Sequence, residues 1–245
     1  MPCPYTTEQL VDERNKSLYE EILAQRPIVL GESDDACWGA KTGPDAARIS
    51  CAPSAYPVSC FTHELLHIEL DLAGRMRPGY LIEAPTERQH DAFDQLVEQF
   101  LPHSYNSMAH TFFYPRFREL GFPANEFLAD DDRAVGTAQA IADVKGLKKQ
   151  RKTMAVNGIQ MAYPFFTLSS PHDDSSESRE ALRMLQYVDR PIFDGFRGLL
   201  QKLPQDSQPD FRWYHARLFN ICGLPNIGFG QSADDLIWAR DCTVT

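Results

Sequence analysis

No stretch of this chain approaches the 18 or more consecutive apolar residues that a membrane-spanning helix requires. Residues 1–8 have neither the basic start nor the apolar run of a secretory leader. A soluble, cytoplasmic, unprocessed protein without a membrane partner is therefore expected. Cations are also short, with 24 Lys and Arg against 34 Asp and Glu for a net charge of -10. A general nucleic-acid binder needs a surplus of cations facing phosphates, so no nucleic-acid partner is expected. The six cysteines, Cys3, Cys37, Cys51, Cys60, Cys222 and Cys242, show no CxxC spacing and lie in a chain too long to depend on disulfides. Buried free thiols follow, Cys60 among them, one turn before a histidine but better suited to apolar packing than to a metal. Missing too are a P-loop and a nucleophile elbow. Gly228-Phe229-Gly230-Gln231-Ser232 does not flank Ser232 as G-x-S-x-G requires, and reads as a loop.

What the chain does have is His63-Glu64-Leu65-Leu66-His67, inside a run from residue 61 to 73 that no Pro or Gly interrupts. Side chains four apart stand above one another on a helix, so His63 and His67 can turn two neutral imidazoles onto one ion, and Zn2+ suits such ligands. Glu64 follows by about 100° of helical rotation. Its carboxylate can sit beside the metal and take a proton from water without being a ligand. Leu66 and Leu70 extend an apolar flank, and Gly74 stands where a helix end favours positive φ. The competing reading is a helix whose two histidines are merely structural.

The HELLH stretch resembles the zincin metallopeptidase signature, which implies zinc held by His63 and His67 and a general base at Glu64. Position 70 is Leu and position 73 is Ala, so the metzincin extension is absent, and no glutamate-bearing motif of the thermolysin kind follows. Asn106-x-x-x-His110, followed by Tyr114-Pro115 and Phe117-x-x-Leu120-Gly121, is similar to uncharacterised bacterial HExxH proteins in which an N-x-x-x-H helix follows the active helix.

The 245 residues, 43% hydrophobic, can fill a core. The expected fold class is α+β and zincin-like: a small sheet ahead of the active helix, then a mostly helical C-terminal half. Residues 1–130 would form the metal-binding catalytic domain and residues 131–245 a helical extension packed on it, with the acidic Asp130-Asp131-Asp132 turn as the boundary.

Thr6 with Gln9 forms a capping box, and Leu10, Val11, Leu18 and Ile22 keep helical spacing up to Pro27, predicting one first helix. Strands are predicted at Ile28-Val29-Leu30, around Cys37-Trp38, and at Ala47–Cys51 between Pro44 and Pro53, the prolines favouring an edge. Such an edge could hold an extended peptide by β-addition.

After a loop at residues 75–79, a helix is predicted from about Pro85 to Pro102, then another from about Tyr105 to Leu120, with Pro115 bending or breaking it. Further helices are predicted from about Thr137, at residues 176–190 and 191–203, and at 210–222, closed by Gly223. Lys145, Lys148, Lys149, Arg151 and Lys152 read as a solvated face rather than an anion site. Asn157-Gly158 is a helix C-cap or a hairpin turn; periodicity does not decide.

A third ligand must complete the metal set. His90 shares an apolar stripe with Phe93, Val97 and Phe100; His110 shares one with Phe113, Phe117 and Leu120. His90 lies near the charged start of its helix, whereas aromatic bulk around His110 would dry a site, so His110 is assigned, ahead of His90 and of carboxylates such as Glu83 or Asp94. Asp71 and Glu69 are available to orient His67, Asn106 to support His110, and Tyr80, His103, Tyr114 or His215 to stabilise an oxyanion. The expected activity is zinc-dependent hydrolysis of an amide bond in a peptide or protein substrate. The alternative is a zinc-binding regulatory or interaction module without turnover.

Overall fold

The computed structural model describes residues 3–33, 37–74, 100–127, 133–152, 156–171, 175–207, 209–230 and 233–242. The chain forms two compact units, residues 1–76 with 113–132, and residues 77–112 with 133–245. The architecture is mixed α+β and mainly helical. No described helix is long and apolar enough to cross a membrane.

The first unit opens with α1 (Thr7–Leu10) and α2 (Lys16–Leu23), so the single first helix expected from the apolar spacing is two. Side chains compete with the helical ladder between them. The Asp12 carboxylate accepts from the Arg14 backbone N–H at 2.9 Å, and Asn15 Oδ1 accepts from that of Asp12 at 2.9 Å. Asp and Asn favour such local turns over helix interiors.

Three strands follow: β1 (Ile28–Glu32), β2 (Gly39–Thr42) and β3 (Ala47–Cys51). The second begins just after Cys37-Trp38 rather than on them. The order is β1-β3-β2, with β1 parallel and β2 antiparallel to β3. β3 is thus the central strand and not an edge, which removes it as a site of peptide addition. Pro44 and Pro53 fall outside the paired residues, so neither deletes a ladder hydrogen bond. The period of two is as expected: Ala47, Ile49 and Cys51 are buried while Arg48 is exposed.

Helix α3 (Pro57–Leu72) packs against β2, β3, α1 and α2. Pro57 occupies its first turn, where the missing N–H costs nothing, and Gly74 past its end has φ +67. Ten consecutive or near-consecutive residues from Ser59 to Leu70 are buried, so the helix is enclosed on most sides rather than amphipathic. Asn15 ties it to the preceding turn, donating from Nδ2 to the Leu10 carbonyl and to Thr62 Oγ1, both at 2.9 Å.

Helix α4 (Leu101–Glu119) carries residues of both units. Pro102 lies in its first turn, and Pro115 sits inside it without terminating it. Gly121, φ +92, closes the end. A 3-10 turn at Ala124–Glu126 then places Phe127 in the core.

In the second unit α5 (Arg133–Gln150), α6 (Gly158–Leu168), α7 (Ser176–Val188), α8 (Arg190–Lys202) and α9 (Phe211–Ile221) pack on one another. Asn157 is the N-cap of α6, with Oδ1 accepting from the Gln160 N–H at 2.9 Å; it is neither the C-cap nor the hairpin turn that the sequence left open. Ser175, Asp189 and Asp210 cap α7, α8 and α9 in the same way. Phe165, Phe166, Phe193 and Phe196 form the aromatic core between them, with ring centroids 5.3–5.9 Å apart. Lys145, Lys148, Lys149, Arg151 and Lys152 are exposed. The stretch expected as a loop at Gly228-Phe229 instead forms β4 (Gly228–Phe229), paired antiparallel with β5 (Ile237–Trp238).

The helix expected at residues 85–99, the loop at 75–79 and the acidic turn at 130–132 lie outside the described residues, as do Tyr80, Glu83, His90, Asp94 and Ser232.

Candidate metal centre

Helix α3 presents His63 and His67 one turn apart, and their Nε2 atoms face each other at 3.2 Å. Two imidazole nitrogens on one tetrahedral zinc, each about 2.1 Å from it, stand about 3.4 Å apart. The pair is therefore close to the spacing that one shared ion requires. His110 joins them from α4, and the ligand atoms of all three lie within 4.8 Å of one another. This buried three-histidine group could hold a metal ion. Burial pushes the His67 pKa down to about 4, so at neutral pH its ring carries a lone pair rather than a second proton.

Aromatic rings wall the pair. Phe113 meets His63 and His67 edge-on, at 5.3 and 4.8 Å between centroids, and Phe127 lies 4.8 Å from His63. Phe127 packs in turn on Phe113 and on Phe117. Apolar rings around the imidazoles remove water that would compete for their nitrogens and favour the neutral form. His63 is 5% and His110 6% exposed, with His67 half-buried.

Glu64 follows His63 on α3 and is 6% exposed. Burial first, and the Glu64 charge among lesser causes, push the pKa of the Cys51 thiol at the end of β3 upward. Glu69 is held by Arg116 of α4 in an ion pair at 2.9 Å, so it braces α3 against α4 two residues after His67. Ser59 donates to the Glu126 carboxylate, fixing the turn that carries Phe127 to the start of α3.

The structure brings together His63, His67 and His110, with Glu64 beside the first. Asn106, one turn before His110, is exposed. Of the oxyanion candidates, Tyr114 packs edge-on against Phe127 at 4.8 Å, and Phe127 in turn touches His63. His103 stacks on Tyr163 at 4.3 Å, with Nε2 3.2 Å from Thr167 Oγ1. His215 is fully buried, and its Nδ1 donates to the Phe211 carbonyl at 2.8 Å. Both pack within the second unit, and the buried Nε2 of His215 has no hydrogen-bond partner among the described residues. Cys60 is buried with its sulfur 3.3 Å from Ser54 Oγ, as an apolar neighbour of the site and not a member of it.

Sequence reasoning did not single out Phe127 or Glu126. Phe127 had one available signal, an aromatic residue a few positions past the Gly121 helix stop. Nothing local marks Glu126 as the partner of Ser59, since the two stand 67 residues apart. Comparison with family models, with curated proteins and with solved structures finds no match for this chain.

Proposed function

We propose that this chain is a zinc-dependent, zincin-like hydrolase that cleaves amide bonds in a peptide or protein, in a soluble cytoplasmic setting. His63, His67 and His110 hold the zinc and Glu64 is the general base. The observation that carries this reading is the convergence of three imidazole nitrogens to within 4.8 Å, with a buried carboxyl on the residue after the first of them. Neutral imidazole nitrogens are the donors that zinc prefers, and three protein ligands leave a fourth position for substrate or water. A bound zinc would supply Lewis acidity, polarising the scissile carbonyl and making water acidic enough to attack near neutral pH. Glu64 accepts the proton of the attacking water. Shielded from bulk solvent, it then delivers that proton to the leaving amine. A three-stranded sheet directly ahead of the helix bearing the two histidines supports the zincin-like description.

The test is metal analysis of the purified protein together with a peptide-library cleavage assay on wild type and Glu64→Gln. The substitution keeps size and removes basicity. Zinc content should stay nearly unchanged while hydrolysis falls by at least about a hundredfold. An active Glu64→Gln, or one that loses its metal, assigns Glu64 another role.

One observation favours the alternative of a zinc-binding regulatory or interaction module. His63 and Glu64 are only 5% and 6% exposed, under a cover of Phe113 and Phe127, and structural zinc sites are closed where catalytic ones stay open. Zinc in the wild type without cleavage of any library peptide would decide for that module.

A further inference from the structure

The sheet of the first unit ends on β1, with no described strand on its far side. The Pro27 carbonyl accepts from the Ala47 N–H at 2.8 Å, and the Ser33 N–H donates to the Cys51 carbonyl at 2.9 Å, with Ile28, Leu30 and Glu32 in register with Ala47, Ile49 and Cys51. In a parallel ladder of that phase the odd-numbered residues of β1 turn their backbone groups toward β3. The N–H and C=O groups of Ile28, Leu30 and Glu32 therefore point to the free side, a row of donors and acceptors that another strand can pair.

The two edges of the sheet differ. β2 carries the exposed Lys41, a residue type that blunts an edge. β1 carries no cation, and its exposed large side chain is Val29, 42% accessible. Val29 and Gly31 lie on one face of the strand, and a Cβ built on Gly31 meets nothing within 4 Å, so the space beside it is open. Arg26 stands just before the strand and Glu32 at its end. The buried Arg26 Nε has no hydrogen-bond partner among the described residues.

We propose that β1 is an interface with a second copy of this chain, the two strands pairing antiparallel about a two-fold axis at Leu30. Leu30 exchanges both backbone bonds with Leu30 of the second copy, and Ile28 does so with Glu32 of the second copy, so every outward group of the strand is paired. Between these pairs Val29 stands opposite Gly31 of the second copy, its methyl groups over the space that the missing side chain leaves. Arg26 comes diagonal to Glu32 of the second copy, within reach of a long side chain. Charge and shape are thus both answered by the same strand turned round, which selects a copy of this chain over an unrelated extended peptide. The contact is isologous and closes at two copies, joining two three-stranded sheets into one. A strand pair this short buries less than a standard stable interface, so monomer and dimer exchange with concentration. The pairing stands independently of any metal at the three-histidine group.

The experiment is sedimentation velocity of the full chain over a concentration series, with hydrogen exchange read at single amides in the dilute and concentrated samples. A species of twice the 27.8 kDa chain mass should grow with concentration. The amides of Ile28, Leu30 and Glu32 should then exchange at least about tenfold more slowly once most chains are paired, while those of Val29, Gly31 and Ser33 are protected at both concentrations. The double variant Val29→Glu with Gly31→Glu sets like charges directly opposite one another across the axis, and so does Val29→Lys with Gly31→Lys. Each should stay monomeric alone, and an equal mixture of the two should dimerise. Should either variant fail to fold, the wild-type exchange pattern decides by itself. A chain that stays monomeric throughout the series overturns the proposal, as does a dimer whose Leu30 amide exchanges as fast as in the dilute sample. Protection of Ile28, Leu30 and Glu32 that is independent of concentration would also overturn it, because the chain's own residues would then cover that side.

Discussion

His63 and His67 face each other through their Nε2 atoms at 3.2 Å, nearly the edge of a zinc coordination tetrahedron. The pairing is a product of α3 alone, since an i,i+4 spacing on any straight helix brings the rings to the same face. What the rest of the fold adds is the third imidazole and a dry wall. Phe113 sits one turn after His110 on α4 and presses its edge on both α3 histidines, so the residue that dries the pair also fixes the helix that carries the third nitrogen.

Zinc binding should therefore depend on all three imidazoles. His63→Ala, His67→Ala and His110→Ala are each expected to weaken zinc affinity by at least about a hundredfold, the upper range of what loss of a mere supporting contact costs. His90→Ala should bind as wild type does. Competition titration against a chelator of known affinity measures this, and tight binding by His110→Ala with loss in His90→Ala would reverse the assignment of the third ligand.

The polar bridge between the α1–α2 turn and α3 should be costly to remove. Asn15 is fully buried and makes three hydrogen bonds, to the Asp12 N–H, the Leu10 carbonyl and Thr62 Oγ1. Asn15→Ala strands the Leu10 carbonyl in the core, and each buried polar group left unsatisfied costs about 1–3 kcal/mol. A loss of at least about 2 kcal/mol in urea denaturation is expected. A variant within about 0.5 kcal/mol of wild type would mean that α1 and α2 rearrange freely around the site.

These residues also mark where the sequence was legible. Elements fixed by their own ends could be read directly: α3 runs up to Gly74, and α7, α8 and α9 begin at Ser175, Asp189 and Asp210. The histidine pair on α3 belongs to the same kind, because spacing alone aligns it. The break between α1 and α2 was hidden because the apolar period continues through it, while Asp12 and Asn15 divert the backbone with their side chains. Strand order was hidden for another reason. Ala47–Cys51 alternates equally well at an edge or in the middle of a sheet, and only the pairing of distant β1 and β2 on either side decides. His110 lay between these cases, since periodicity placed it on an inward face but could not say what that face meets.

Asn157-Gly158 shows how a close approach settles what periodicity leaves open. A Cβ on Gly158 would stand 2.4 Å from the Cys222 Cα, so the start of α6 lies against the end of α9 with no room for a side chain. Gly158→Ala should then destabilise the second unit, by about 2 kcal/mol or more, because the obstacle is backbone rather than a movable side chain. Its helix propensity acts in the opposite sense, as Ala exceeds Gly by about 1 kcal/mol in a helix. An unchanged or raised melting temperature would show that the two helix ends separate easily.

Stability should also fall on mild acidification, and His215 gives a way to see why. The ring is fully buried, its Nδ1–H is committed to the Phe211 carbonyl, and burial lowers its pKa from 6.5 to about 4. Below pH 6.5 the unfolded chain takes up a proton at this histidine that the folded chain refuses until about pH 4. The unfolded state binds more protons across that window, so unfolding free energy rises with pH there and is lost as pH falls through it. The full effect of one such group is about 3 kcal/mol, at 1.36 kcal/mol per pH unit. Burial lowers the pKa values of His67 and His103 as well, and they pull in the same direction. The informative quantity is therefore the difference between wild type and His215→Phe, which keeps a flat ring against Tyr105, 6.1 Å away and nearly parallel. Urea unfolding of both proteins between pH 7 and pH 4.5 should give a shallower pH slope for His215→Phe, by close to one proton in the middle of the window. Equal slopes would mean that His215 is protonated in the folded protein, and that its ring is not sealed from water as the structure places it.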